Sequence, residues 1–214
     1  IGHGLNGKVP KFIITKRRDS SGDWYSQHAS LGATHRIQLN SSSAPTSGTS
    51  LWNSTSPTDS VFSVGADNEV NASSGTFVAY CFADVPGYQR VGSYIGGGST
   101  DVTVVLGFKP RFLLGKNASG SFQWYMADSE RATSNPFDEL VYADTNETQG
   151  TSGAGDHIRF NNDGFTIEGN ANTLNQSGST FVYLAIGDDE IGADEDCLVD
   201  VPNAVTADAY ATDT

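Results

Sequence analysis

The sequence predicts an all-β protein built from two tandem, homologous β-sandwich modules of the jelly-roll-like type. The first observation is composition: Gly occupies 24 of 214 positions and charged residues make up only 17%. Gly, Ser, Thr and Asn are poor helix formers, whereas Thr and the aromatic residues suit strands. The second is that apolar residues occur in short runs separated by turn residues, which is the strand pattern. The third is that the chain repeats itself.

Four sequence blocks of the first half recur in the same order in the second half. Residues 10–16 (PKFIITK) recur as 110–116 (PRFLLGK), and Trp24-Tyr25 recurs as Trp124-Tyr125 at the same spacing. Residues 61–64 match 164–167, and 74–80 match 178–184. Four ordered matches indicate a tandem duplication.

The duplication divides the chain into three parts. Residues 1–100 form the first predicted module, which ends in a Gly-rich linker at 92–99. Residues 101–190 form the second module, and 191–214 are an acidic connector toward a further module. Modules of about 90 residues close a core only marginally, so we expect the two to share a substantial interface.

The predicted strands follow from the apolar runs between turn residues. In the first module they cover residues 11–16, 24–28, 35–39, 51–52, 61–64 and 77–83. In the second they cover 102–106, 111–116, 122–127, 139–143, 158–160, 165–168 and 181–186. Residues 77–83 are apolar on both alternating faces, which predicts a central strand with little exposure to water.

Charge and hydropathy exclude two classes of partner. The formal net charge of −13 would repel nucleic acid and anionic membranes. No apolar run approaches the roughly 20 residues needed to cross a bilayer, so we expect no membrane insertion. The chain starts at Ile1 rather than Met, which favours an excerpt of a longer protein.

The sequence contains no recognisable catalytic or metal-binding motif, so we predict a non-enzymatic protein without a cofactor. The four His residues lack ligand spacing, and the abundant Ser residues carry no triad signal. Asp138, Glu139, Asp156 and Glu168 could supply a carboxylate pair for glycoside cleavage, but nothing places two of them together. The acidic run 188–196 indicates a solvated linker rather than a calcium loop. Whether Cys81 and Cys197 pair stays open.

Aromatic residues near turns are the candidate ligand-binding residues. Mixed with Asn, Ser, Thr, Asp and Gln, aromatic rings can stack on sugars and the polar groups can bind hydroxyls. The same residues could fill the core or make contacts between subunits. The candidates are Trp24, Tyr25, Trp52, Trp124 and Tyr125.

Several motifs together resemble a known but uncharacterised family. They are residues 2–5 (GHGL), 10–14 (PKFII), 23–25 (DWY) with His28, Trp52-Asn53 with Pro57-Thr58, 78–83 (VAYCFA), 87–88 (GY) and 92–94 (GSY). This pattern, over residues 1–188, is similar to a duplicated β domain of tail-fibre-like virion proteins from tailed phages of marine and cyanobacterial hosts. At 112–114 (FLL) the chain departs from the family, which is richer in aromatic residues there.

The resemblance implies a structural protein of the virion, located on the extracellular phage particle. The leading hypothesis is a segment of a tail fibre or other appendage that attaches to host-surface glycans. The expected partners are further copies of the chain, in a homo-oligomer expected to be a trimer, and other virion proteins. A capsid decoration or cement protein is one alternative, and a polysaccharide-degrading enzyme is the other.

Overall fold

The computed structural model describes residues 1–132, 134–137, 139–147, 150–151 and 156–187, and this part of the chain is almost entirely β. The strands of the first half are β1 (Phe12–Arg17), β2 (Trp24–His28), β3 (His35–Gln38), β4 (Thr46–Ser47), β5 (Phe77–Phe82) and β6 (Gln89–Ile95). Those of the second half are β7 (Val102–Val105), β8 (Pro110–Asn117), β9 (Trp124–Asp128), β10 (Glu139–Tyr142), β11 (Gly150–Thr151), β12 (His157–Asn161), β13 (Gly164–Glu168) and β14 (Thr180–Gly187). The helices are single turns: a 3₁₀ turn at Ala29–Leu31, α1 (Asn68–Asn71) and α2 (Asn172–Asn175).

Three antiparallel sheets contain these strands. The first sheet has the order β4-β3-β2-β1-β5, the second β11-β10-β9-β8-β14-β6, and the third β12-β13-β7. The first five strands of the second sheet therefore repeat the order of the first sheet. The second sheet differs by one additional strand, β6, which comes from the first half of the chain and pairs with β14.

Register as well as strand order is the same in the two large sheets. Lys16 lies opposite Trp24 in the first sheet, and Lys116 lies opposite Trp124 in the second. Equivalent side chains also bind equivalent backbone groups: the Trp24 N–H donates to Asn40 Oδ1 at 2.9 Å, and the Trp124 N–H donates to Asp144 Oδ1 at 3.0 Å. Three of the four matched sequence blocks thus occupy matched positions. The fourth does not, because residues 61–64 form no strand whereas 164–167 lie in β13.

The two large sheets pack face to face, so the chain forms layers rather than two separate bodies. The shared layer is made by alternate residues of both sheets: Phe12, Ile14, Ile37, Val91, Leu114, Trp124, Val182 and Leu184. On the far side of the second sheet, the third sheet encloses a larger aromatic cluster that includes Phe165 and Phe181. On the far side of the first sheet, α1 and the loops cover a smaller cluster of Ile13, Leu51, Trp52, Phe62 and Val70.

Polar groups inside the shared layer also connect the two sheets. Trp124 Nε1 donates to the Gln38 carbonyl at 2.7 Å. The buried Lys116 ammonium donates to the Ser42 carbonyl at 3.1 Å and to the Phe122 carbonyl. His28 Nδ1 accepts from the Ser30 N–H at 3.2 Å, so its Nε2 donates to the Tyr183 carbonyl at 3.2 Å. Both ring nitrogens of His28 are therefore satisfied in the neutral form.

The structure corrects three predictions about strands. Residues 77–83 were expected to form a central strand, but β5 is an edge strand with Tyr80 47% exposed. The predicted linker at 92–99 begins inside β6, which is an ordered seven-residue strand. Leu51 and Trp52 lie in a buried turn, and Val61 makes a single bridge with Gly2 rather than a full strand.

The Gly-rich composition of residues 92–99 led to the linker prediction, but Gly92 lies in a strand because its lack of a side chain makes room for a neighbouring ring. Gly92 lies directly opposite Tyr183, and a Cβ at Gly92 would come within 2.5 Å of the Tyr183 hydroxyl oxygen. Gly115 has the same relation to Tyr125, whose ring would be 2.3 Å from an added Cβ. A glycine inside a strand often marks such a close approach.

His28 predicts an acid-sensitive stability. Burial lowers the pKa of His28 from 6.5 to about 4. Between these values the unfolded chain binds a proton that the folded chain does not, so the free energy of unfolding falls as pH falls from 6.5 to 4, by up to about 3 kcal/mol. We expect His28→Gln to remove this part of the pH dependence, measured by urea unfolding across that range. His35→Gln, at a more exposed site, is the control and should keep it. Equal slopes for the wild type and His28→Gln would contradict the prediction.

Lys116 predicts a stability that increases in alkali. Burial lowers the pKa of Lys116 from 10.5 to about 8. Above pH 8 the unfolded chain keeps a proton that the folded chain has released, so the free energy of unfolding rises from pH 8 to 10, by about 2 kcal/mol. Lys116→Met should abolish this rise in urea titrations.

The repeat supplies the matched control for this experiment. Lys16 occupies the equivalent position and donates to the Gly22 carbonyl at 2.9 Å, but it is more exposed. Lys16→Met should leave the alkaline rise intact. A rise that survives Lys116→Met would show that another group causes it.

Candidate functional site

Three of the five predicted ligand-binding residues are core residues in the structure. Trp52 is 0% exposed, Trp124 1% and Tyr125 0%, so none of these rings faces solvent. Trp124 fills the shared layer, Trp52 fills the outer cluster of the first sheet, and the Tyr125 hydroxyl lies 3.0 Å from that of Tyr94. Their burial leaves Trp24 and Tyr25 as candidates.

Tyr25 lies on the outer face of the first sheet, where it is half-buried. The Arg36 guanidinium lies 5.7 Å from the centre of the Tyr25 ring, and it also approaches Asp67 at 3.9 Å. Burial, together with the Asp23 charge, raises the pKa of Tyr25. Because Arg36 covers the ring, Tyr25 presents little free aromatic surface.

Trp24 forms an accessible aromatic platform with a residue that sequence reasoning missed, Tyr80. The two ring centroids are 6.3 Å apart and the planes differ by 22°, which is a stacked arrangement. The rings meet across β1, because Trp24 begins the neighbouring strand β2 and Tyr80 lies in the middle of β5. Trp24 is half-buried, while Tyr80 is 47% exposed.

Polar side chains are fixed next to the platform. The Asp23 carboxylate accepts hydrogen bonds from Gln38 Nε2 at 2.6 Å and from Asn40 Nδ2 at 2.9 Å. Asn40 Oδ1 accepts a hydrogen bond from the backbone N–H of Trp24. A shallow cavity of about 160 Å³ opens at this point, lined by Trp24, Leu39, Asn40 and Ala143. An aromatic surface beside preorganised amide and carboxylate groups is suited to a polyhydroxylated ligand.

The repeat explains why the second sheet has no equivalent of this surface. The residue equivalent to Tyr80 is Leu184, which is 3% exposed because the first sheet covers it. Trp124, equivalent to Trp24, is covered by β3 through its bond to Gln38. The local sequence pattern does not distinguish the accessible Trp24 from the buried Trp124, because the difference comes from how the sheets overlap.

Other candidate chemistry is limited among the described residues. Within that part of the chain, no group of three or more His, Cys, Asp or Glu side chains is arranged to hold a metal ion. Cys81 is half-buried on β5, and burial raises its pKa. Glu168 pairs with Arg159 at 2.6 Å. Asp138, the acidic run 188–196 and Cys197 lie outside the described residues. No described helix has the length and apolarity to cross a membrane.

In the part of the chain that the structure describes, the fold is all-β, with three stacked antiparallel sheets and an accessible aromatic platform formed by Trp24 and Tyr80. A family described as a domain of unknown function, DUF7483, matches residues 1–189. The chain belongs to this family, because the match covers most of its length. No curated protein matches the chain, and no solved structure does.

Proposed function

We propose that this chain is a non-enzymatic structural module of a virion appendage, such as a tail fibre, and that its Trp24–Tyr80 platform contacts host-surface glycan. The observation that carries the glycan role is the stacked, accessible ring pair. Sugar rings expose C–H faces that pack on aromatic rings, and their hydroxyls bond to fixed amide and carboxylate groups. Asp23 and Asn40 supply such groups beside Trp24.

The architectural part of the proposal is that the chain consists of two duplicated modules, residues 1–100 and 101–190. Equal strand order and equal register in the two large sheets support it. The face-to-face packing of the modules suits a rigid structural element, because the shared layer joins them over a broad apolar surface. The phage assignment rests on the resemblance to virion proteins. The proposed partners are other copies of the chain, other virion proteins and host glycans.

A glycan array, followed by titration calorimetry with the best ligand, tests the platform. Tyr80→Leu installs the apolar residue found at the equivalent position 184, so it removes the ring while keeping an apolar side chain. We expect a loss of affinity of about tenfold, which corresponds to ~1.4 kcal/mol. Val105→Ala is the control, because Val105 is an apolar residue, 65% exposed, on the outer third sheet. It should bind as the wild type does.

Four outcomes would contradict parts of this proposal. Absence of binding to any glycan, or equal binding by Tyr80→Leu, would remove the platform's role. Release of reducing sugar from host polysaccharide would favour the polysaccharide-degrading enzyme. Quantitative mass spectrometry of purified virions separates an appendage, present in few copies, from a capsid decoration protein, present in many.

A further inference from the structure

The outer edge of β5 differs from its counterpart in the second half. In the second sheet, β14 is paired on both sides, by β8 and by β6. In the first sheet, β5 is paired by β1, and within the described residues no strand pairs with its other edge. The strand that follows β5 in the chain is β6, and it is already used on β14.

The backbone groups at this open edge can be assigned from the register. The Arg18 N–H donates to the Thr76 carbonyl at 2.8 Å, so residues 76, 78, 80 and 82 direct their backbone groups toward β1. Phe77, Ala79 and Cys81 therefore direct their N–H and C=O groups outward. Their equivalents on β14 are Phe181, Tyr183 and Ala185, which lie opposite Tyr94, Gly92 and Arg90 of β6. The same chain thus shows how such an edge is completed, by an antiparallel strand.

The side chains of β5 leave this edge unprotected. Residues 76–83 (TFVAYCFA) contain no charge and no proline, although the chain as a whole carries a net charge of −13. Exposed edge strands usually carry Lys, Pro or a bulge that prevents pairing with another chain. Inside β5 the pairing with β1 is regular over all six residues. An uncharged edge is also where two copies of an acidic chain approach with the least repulsion.

We propose that β5 is a self-association edge, at which two copies of this chain pair their β5 strands antiparallel about a two-fold axis through Ala79. This register places Ala79 opposite Ala79 of the second copy and Phe77 opposite Cys81. It satisfies all the outward backbone groups of Phe77, Ala79 and Cys81 in both copies, and it joins the two five-stranded sheets into one. The contact is isologous and uses up both edges, so it stops at two copies.

The proposed β5 pairing does not depend on the glycan proposal, but it determines where the two Trp24–Tyr80 platforms lie relative to each other. Residues directly opposite in an antiparallel pair lie on the same face, so Tyr80 would lie opposite Val78 of the second copy. The two Trp24–Tyr80 platforms would then lie on one continuous sheet surface. A dimer made in this way differs from the trimer expected for a fibre, so the oligomeric state decides between them.

Light scattering of the full chain over a range of concentrations tests the association. We expect the mass to double as concentration rises. Ala79→Lys should prevent this, because it places two like charges directly opposite each other. Ala79→Ser at the same position should dimerise as the wild type does. Ala79→Pro, which removes an outward N–H and leaves the bonds to β1 intact, is a second blocking variant and should also stay monomeric.

Cysteine cross-linking tests the register. In a full chain carrying Cys81→Ser and Cys197→Ser, Ala79→Cys should form a disulfide-linked dimer under mild oxidation, because hydrogen-bonded opposite residues have Cα atoms about 5.5 Å apart. Val105→Cys in the same background is the matched control, and it should cross-link far less. A wild-type chain that is monomeric at every concentration, a trimer, a dimer that persists in Ala79→Lys and Ala79→Pro, or equal cross-linking at positions 79 and 105 would overturn the proposal.

Discussion

The shared apolar layer between the two large sheets is the constraint on which the rest of the structure depends. Each sheet has one face committed to its own outer cluster and one face committed to the other sheet. Separating the two large sheets would therefore expose to water an apolar surface that includes Phe12, Trp124 and Leu184. Hydrophobic burial drives this packing but has no direction of its own. The directional bonds of His28, Lys116 and Trp124 to carbonyls of distant segments set how the sheets align.

Departures from the repeat account for the candidate functional features. If the two halves met with full symmetry, Trp24 and Trp124 would be equally buried, and β5 and β14 would be equally paired. Instead β6 completes only the second sheet, and the sheets overlap so that β3 covers Trp124 while Tyr80 stays accessible. The first sheet, which lacks this additional strand, thus has both the aromatic platform and the open edge. The second sheet, which β6 completes, encloses the larger core, and that core includes Tyr94 from β6 itself.

Composition and alternation were sufficient to predict the all-β class, because they depend only on local chain properties. Three of the four repeat blocks also matched residues that occupy equivalent register positions, since similar sequences favour similar strands. Exposure could not be predicted in the same way. Trp24-Tyr25 and Trp124-Tyr125 have the same local pattern, but their burial depends on strands that are distant in sequence. The strand β6 was missed because Gly92 looks like a flexible residue, although it accommodates the Tyr183 ring across the strand pair.

The buried polar groups of the layer show why a duplicated chain would keep its two copies different. Lys16 and Lys116 bind equivalent turn carbonyls, but only Lys116 also reaches the other half, at Ser42. His28 binds the Tyr183 carbonyl of the other half, whereas its equivalent, Asp128, makes local contacts: it accepts from the Glu130 N–H at 2.8 Å and pairs with Arg131 at 3.8 Å. A charge or ring nitrogen buried without its partner costs more than the bond contributes. The bonds of His28 and Lys116 to the opposite half therefore disfavour any packing in which the two halves exchange places. As a result, the platform and the open edge lie in the first sheet.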